Sequence, residues 1–363
     1  MQLLSTLKRL DLYVLASLGI FAVFSFSALT SIGLSKDPPN FWFASHQFII
    51  FGGACILMLF LSYFNYQNLK YIALPLFLVS CLVLASTLFF GREIRGTRGW
   101  LYLGTFGFQA VELVKLSLIL FLAYYFSRYT RVIGTLKHLC ISGVLTGIPI
   151  VLTLMQPDFG SAVVLIGIWL GMVFLSDIPK KYVITMICAA LVFLAVFWLF
   201  LFQDYQKQRI ITFLNPTHDV QGQGYNVRQA LIAIGSGQLL GRGLGLGSQS
   251  HLKFLPETQT DFIFSVIAEE MGMIGVLFLL AAFGLLVIRT FYIIKKSRDD
   301  FGVFCCIGII SMIMIHLLIN IGGNIGLVPV TGIVLPFISF GGSALLIDIL
   351  ALGIIQSVAV HKI

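Results

Sequence analysis

Charge is the scarcest property of this chain. Only 10% of its residues are Asp, Glu, Lys or Arg, against about 25% in soluble domains. With 58% of its 363 residues apolar, a water-soluble globule would lack the polar surface to cover itself. This excludes an ordinary cytosolic enzyme, a disordered chain and a nucleic-acid-binding domain. Catalytic and metal motifs are also missing. The sequence has no GxxxxGK[ST], no HExxH, no GxSxG and no paired-cysteine metal spacing. Its six cysteines (Cys55, Cys81, Cys140, Cys188, Cys305, Cys306) all lie in apolar runs and read as small buried hydrophobes.

What the chain has in abundance is long apolar runs. They fall at about 12–34, 43–64, 71–90, 108–127, 138–155, 160–176, 182–203, 262–288, 303–320 and 341–360. A helix needs roughly 20 apolar residues to cross a bilayer. These runs are far too long for barrel strands, and only helices satisfy their own backbone in lipid without closing a barrel. The expected fold is therefore all-α: a polytopic membrane protein of about ten transmembrane helices in one domain, 1–363. No internal repeat is visible. The first run is too long for a signal-peptide core and has no clear cleavage site, so it reads as a retained span.

The formal charge is +8, and in a membrane protein basic residues report orientation first. With the N-terminus inside, the inner segments hold Lys8, Arg9, Lys70, Arg128, Arg131, Lys137, Lys180, Lys181, Arg289, Lys295, Lys296, Arg298 and Lys362. The short outer loops hold only Lys36, Arg92, Arg95 and Arg98. Both termini then lie in the cytoplasm. Three outer arginines crowd Gly91–Gly107, against the topological rule. Two readings stand: headgroup contact or a loop salt-bridged through Glu93, or an anionic ligand on the outer face, since Arg matches phosphate geometry.

The longest loop, about 204–261 between spans seven and eight, is also outside. Within it Val227–Ile234 (VRQALIAI) is amphipathic and suited to the membrane surface. Gly235–Gly247 is glycine-rich, which permits tight turns and close backbone approach to a ligand. Gly322–Ser343 combines Gly and Pro between two spans. Non-helical backbone at that depth is tolerated only where protein buries it or it lines a cavity, so this segment is expected to form a cavity wall.

Ionisable residues inside spans are functional candidates. Glu112 and Lys115 share a helix face at i,i+3, either as a structural ion pair or as a charge for a bound anion. Glu269 and Glu270 are adjacent and point about 100° apart on a helix. Asp348 stands alone and suggests no specific role. The scattered histidines read as ordinary packing residues. Asp158 and Asp261 each precede an apolar run, so each can be a helix N-cap. Asp261 can instead be a general base at a cavity mouth, because a carboxylate partly withdrawn from water suits proton abstraction from a sugar hydroxyl.

Six stretches together resemble the SEDS family (shape, elongation, division and sporulation proteins). They are RGTRGWLYLGTFGFQAVELVKLSLILFLA (95–123), QPDFGSAVVL (156–165), RIITFLNP (209–216), GYNVRQALIAIGSG (224–237), FLPETQTDFIFSVIAEEMGMIG (254–275) and GGNIGLVPVTGIVLPFISFGGS (322–343). They run in the family's order over most of the chain. GSQSHLKFLPE (247–257) looks more like the RodA branch than the FtsW branch. The resemblance implies a peptidoglycan glycosyltransferase of the bacterial cytoplasmic membrane. Such an enzyme polymerises lipid II, a lipid-diphosphate-linked disaccharide, alongside a class B penicillin-binding protein. By matching position it makes Asp261 the catalytic carboxylate. It places Arg95, Arg98, Glu112, Lys115, Asp158, Arg209, Glu269 and Ser339 around the substrate. A divalent cation, Mg or Mn, can assist at the diphosphate, although no motif demands one. Where the family often has HTDFIF and SYGGSS, this chain has Gln259, Phe340 and Ala344, so a hydroxyl at 340 or 344 is not required. Two other classes compete: a lipid II flippase, and a non-catalytic scaffold for the penicillin-binding protein.

Overall fold

A computed structural model describes residues 9–94, 96–104, 106–129, 136–175, 182, 222–251, 254–297 and 299–361. The long apolar runs form helices α1 (Leu12–Leu34), α2 (Trp42–Tyr63), α3 (Leu69–Phe90), α4 (Ala110–Arg128), α5 (Leu136–Met155) and α6 (Phe159–Phe174). Beyond them come α7 (Gln223–Ser236), α8 (Ile263–Lys296), α9 (Asp300–Asn324) and α10 (Gly342–Val360). Among the described residues eight helices are long and apolar enough to cross a membrane, and α6 is a shorter apolar helix. The expected seventh span, 182–203, lies almost wholly outside the described residues.

The helices α10, α4 and α9 form the centre of the bundle, with 89%, 78% and 67% of their spans buried. The helices α2, α3 and α5 are mostly exposed and carry large apolar side chains such as Phe48, Ile56, Leu82 and Val144 on their outer faces. Lipid is the solvent such faces require. Central α10 packs against α2, α4 against α3 and α9, and α8 against α1. The polar residues of α4 therefore sit on the axis of the bundle rather than at its edge.

The loop between α3 and α4 contains more structure than the sequence reading supplies. Residues Arg92–Ile94 (β1), Thr97–Leu103 (β2) and Phe106–Gln109 (β3) form an antiparallel sheet ordered β1-β2-β3. Trp100 pairs with Gln109 and Leu103 with Phe106. The third strand runs directly into α4, which fixes the entry of that helix. By connectivity the sheet caps one end of the bundle. Lys70, Arg128, Lys137, Lys295 and Lys296 fall at the opposite end. There Asp11 caps α1 by accepting from the N–H groups of Tyr13 and Val14. Its carboxylate also meets Arg289 Nε at 2.6 Å, and its backbone exchanges two hydrogen bonds with the Gln356 amide. This ties α1, α8 and α10 together.

Helix α8 breaks at Gly272, where φ is +65°. The glycine-rich strap after α7 lies against the break. Arg242 N–H donates to the Glu269 carbonyl and Gly243 N–H to the Glu270 carbonyl, both at 3.0 Å. Met273 N–H returns a bond to the Gln238 carbonyl at 2.9 Å. A Cβ on Gly241 would collide with the Glu270 carbonyl, and one on Gly272 with the Gly241 nitrogen. The close backbone approach of Gly237 and Gly241 is thus to the protein's own helix. The amphipathic stretch is α7. Its Ala230 and Ala233 are buried while Leu231 and Ile232 remain largely exposed.

Candidate functional site

A cavity of about 1390 Å³ opens at the sheet end of the bundle. One wall is the sheet, through Thr97, Arg98, Trp100 and Tyr102. A second is the Gly/Pro segment between α9 and α10, through Thr331, Gly332 and Ile333, as its composition led us to expect. Glu112, Lys115 and His316 form its deep polar part, and Asp158, Glu257 and Asp261 also line it.

Because β3 leads straight into α4, Glu112 falls in the first turn of that helix and Lys115 one turn deeper. The two are 2.7 Å apart and almost wholly buried. A buried pair repays its desolvation only with good geometry and further hydrogen bonds. One such contact is His316 Nε2 on α9, 3.1 Å from the Lys115 ammonium. An ammonium can only donate, so Nε2 accepts and the imidazole is neutral with its proton on Nδ1. His316 is therefore part of the site and not, as the sequence alone reads, an ordinary packing residue.

Asp158 caps α6, accepting from Ser161 N–H at 3.0 Å and Ser161 Oγ–H at 2.7 Å. The same carboxylate receives Gln109 Nε2–H at 3.2 Å, so it links the end of the sheet to α6 while lining the cavity. Asp158 is thus the helix N-cap that its place before an apolar run suggests and a cavity residue at the same time. Arg98 meets Glu93 Oε2 through Nε at 3.2 Å, with both side chains more than half exposed. An exposed pair of this kind contributes ~0–1 kcal/mol, so Arg98 is easily released to another anion.

Asp261 occupies the turn before α8. It is not the N-cap residue; that position is Phe262, which makes no side-chain cap bond. The turn is braced at three successive carbonyls. The Asp261 carbonyl accepts from Asn320 Nδ2 at 3.1 Å and Asn324 Nδ2 at 2.9 Å. The Thr260 carbonyl accepts from Ser339 Oγ at 2.6 Å. The Gln259 carbonyl accepts from Phe340 N–H at 2.8 Å. Gly332, at φ +79°, brings the opposing wall close: a Cβ there would lie 3.9 Å from Asp261 Oδ2.

Two expected substrate contacts are placed elsewhere. Ser339 does not line the cavity; its hydroxyl donates to Thr260 and accepts from Leu335 N–H at 2.9 Å, which makes it a brace for the Asp261 turn. Glu269 is fully buried beneath the strap and accepts from Gln249 N–H at 2.8 Å. Its neighbour Glu270 takes the Ser31 hydroxyl and Gly245 N–H. Both glutamates fasten the strap to the helix break. Arg95 and Arg209 lie outside the described residues. Residues that sequence reasoning missed are Glu257, His316, Asn320 and Asn324. Glu257 lines the cavity beside Asp261 and accepts from Gln259 Nε2 at 3.0 Å. Among the described residues no group of three or more His, Cys, Asp or Glu side chains is arranged to hold a metal.

A bundle of apolar helices whose capped end encloses a lysine, a histidine and several carboxylates is a polytopic membrane protein with an intramembrane polar cavity. It belongs to the FtsW/RodA/SpoVE family, whose model, described as cell cycle protein, matches residues 6–363. The chain is 37% identical over 287 residues to the peptidoglycan glycosyltransferase MrdB of Escherichia coli, covering 79% of this chain and 77% of that one. It is 35% identical over 354 residues to the stage V sporulation protein E of Bacillus subtilis, covering 95% and 94%. Its fold matches Thermus thermophilus rod shape determining protein RodA with TM-score 0.72 at 28% identity over 96% of both chains. It also matches a chain of a peptidoglycan synthase complex, solved for the structural coordination of polymerization and crosslinking. There the TM-score is 0.80 at 28% identity over 97% of this chain and 98% of that chain.

Proposed function

We propose that this chain is a peptidoglycan glycosyltransferase that extends glycan strands from lipid II at the outer face of the bacterial cytoplasmic membrane. The observation that carries the reading is that Asp261 and the buried Lys115 line one cavity at one end of the bundle. The basic residues at the other end favour a cytoplasmic location for both termini.

The substrate has a polyprenyl tail, a diphosphate and a sugar-peptide head. A cavity within a helical bundle lets the tail stay in lipid while the head reaches the sheet end. Asp261 accepts the proton of the acceptor 4-hydroxyl as that oxygen attacks the anomeric carbon of the donor, the growing strand on its lipid diphosphate. The carbon–oxygen bond to the diphosphate breaks and its electron pair leaves with the phosphate. That leaving group needs positive charge rather than a strong acid, and Lys115 and Arg98 supply it. General-base catalysis contributes about 10²–10⁴-fold, so positioning carries much of the remaining rate enhancement. Magnesium or manganese at the diphosphate would supply further charge; Asp158 and Glu257, which also line the cavity, are the carboxylates that would hold it and leave Asp261 as the base. A class B penicillin-binding protein is the proposed partner, in keeping with the synthase-complex neighbour.

A flippase has to open the cavity to the inner face, and a scaffold needs no polar cavity. The test is polymerisation of lipid II supplied only on the outer leaflet of vesicles holding the purified protein with its penicillin-binding partner. Glycan formation supports the polymerase. Transfer of lipid II between leaflets without glycan contradicts it.

A further inference from the structure

Helix α9 carries three buried polar side chains at intervals of four residues: His316, Asn320 and Asn324. This spacing puts them on one face of the helix. Residues of that type are costly inside an apolar span, and these three reach two functional groups of the cavity: His316 reaches Lys115, and both asparagines reach the backbone of Asp261. His316 Nε2 lies 3.1 Å from the Lys115 ammonium. Asn320 Nδ2 donates to the Ile333 carbonyl at 2.8 Å and to the Asp261 carbonyl at 3.1 Å. Asn324 Nδ2 donates to the Asp261 carbonyl at 2.9 Å, while its Oδ1 accepts from Ser265 Oγ at 2.6 Å. Its Nδ2 also donates to the Asn320 carbonyl at 2.8 Å, and these two carbonyls, which can only accept, fix which way the Asn324 amide faces.

We infer that His316, Asn320 and Asn324 are positioning residues that hold the candidate base and the candidate counter-charge in fixed relation along one helix. The inference rests on the proposed polymerase reading and assigns these three residues within it. Each acts through another group. The two asparagines act through the backbone of residue 261, and the histidine acts through Lys115. Neutral imidazole suits this task because it accepts from the ammonium without adding a competing positive charge. Lys115 has three N–H donors. With Glu112 taking one and His316 a second, the third is left to a ligand entering from the cavity.

The two ends of the stripe should therefore fail differently. Loosening residue 261 misplaces the base after substrate has bound, so Asn320→Ala lowers kcat by about 10²-fold, as a 1 Å misplacement does, with KM for lipid II little changed. Removing the imidazole acceptor frees Lys115 to swing, so His316→Leu raises KM about tenfold, the scale of one charged hydrogen bond, with a smaller effect on kcat. His316→Gln, which keeps an acceptor oxygen, restores most of that loss.

The experiment measures kcat and KM of the full-length protein with its penicillin-binding partner on labelled lipid II, alongside melting temperature. The wild type, these three variants and Asp261→Asn are compared. Opposite kcat and KM signatures with rescue by Gln support the stripe. Parallel changes in kcat and KM that track a lowered melting temperature mark these residues as merely structural and overturn it. So does an Asn320→Ala enzyme that runs at the wild-type rate. If the wild type forms glycan and Asp261→Asn does not, such a result sinks the stripe alone. A wild type that forms no glycan sinks the polymerase reading and the stripe with it.

Discussion

Lys115 and Glu112 form an ion pair of 2.7 Å at the centre of the bundle, one helical turn apart and almost sealed from solvent. Removing one partner leaves a buried charge without its counter-ion. Lys115→Met should therefore destabilise the protein by about 3–5 kcal/mol. The double variant Glu112→Gln, Lys115→Met should recover much of that loss. Neither should polymerise lipid II, because both lack the cation. Thermal unfolding in detergent, read beside glycan synthesis, separates the two effects.

Arg98 presents the opposite case. Its partner Glu93 is exposed and the pair adds little to stability. Arg98→Ala should leave the melting temperature unchanged and raise KM for lipid II several-fold, in the region of 1 kcal/mol of lost anion contact. Unaltered kinetics would remove Arg98 from the anion site.

Gly241→Ala tests the strap. The added methyl meets the Glu270 carbonyl, and φ at this position is +81°. Strain of this kind costs about 1–3 kcal/mol, and the steric overlap adds to it. Glu269→Ala should destabilise by a comparable amount by leaving Gln249 N–H without its acceptor. For both variants the activity per folded molecule should stay near wild type, because neither side chain lines the cavity. A folded Glu269→Ala protein that cannot use lipid II would return Glu269 to the substrate site.

Ser339→Ala removes a hydroxyl that satisfies the Thr260 carbonyl and Leu335 N–H. Two buried groups lose their partner, at about 1–3 kcal/mol each. The turn that carries Asp261 loosens, so kcat should fall while KM is nearly kept. Equal losses in both parameters would contradict a bracing role.

Much of this architecture is legible in the sequence because lipid imposes a simple rule. Apolar runs such as 12–34 and 43–64 coincide with α1 and α2 to within about one residue, since a backbone in hydrocarbon has no alternative to the helix. The Glu112–Lys115 pair follows from i,i+3 geometry alone. The sheet over 92–109 is not legible. Its alternation is short, and glycines at 96 and 104 read equally well as loop. The roles of Glu269 and Ser339 are hidden for another reason. Their partners, Gln249 and Thr260, are fixed by how the strap and the turn pack, and no local pattern encodes that. His316, Asn320 and Asn324 could have been found. Three polar residues spaced by four in an apolar span form a helical stripe, and the spacing itself is the signal.

The proposed glycosyl transfer depends on one carboxylate. Purified protein with its penicillin-binding partner, given labelled lipid II, should build glycan chains. The Asp261→Asn protein, equally folded and equally bound to its partner, should build none. Chains of normal length made at the normal rate by that variant would show that the proton is taken elsewhere and that the cavity has been misread.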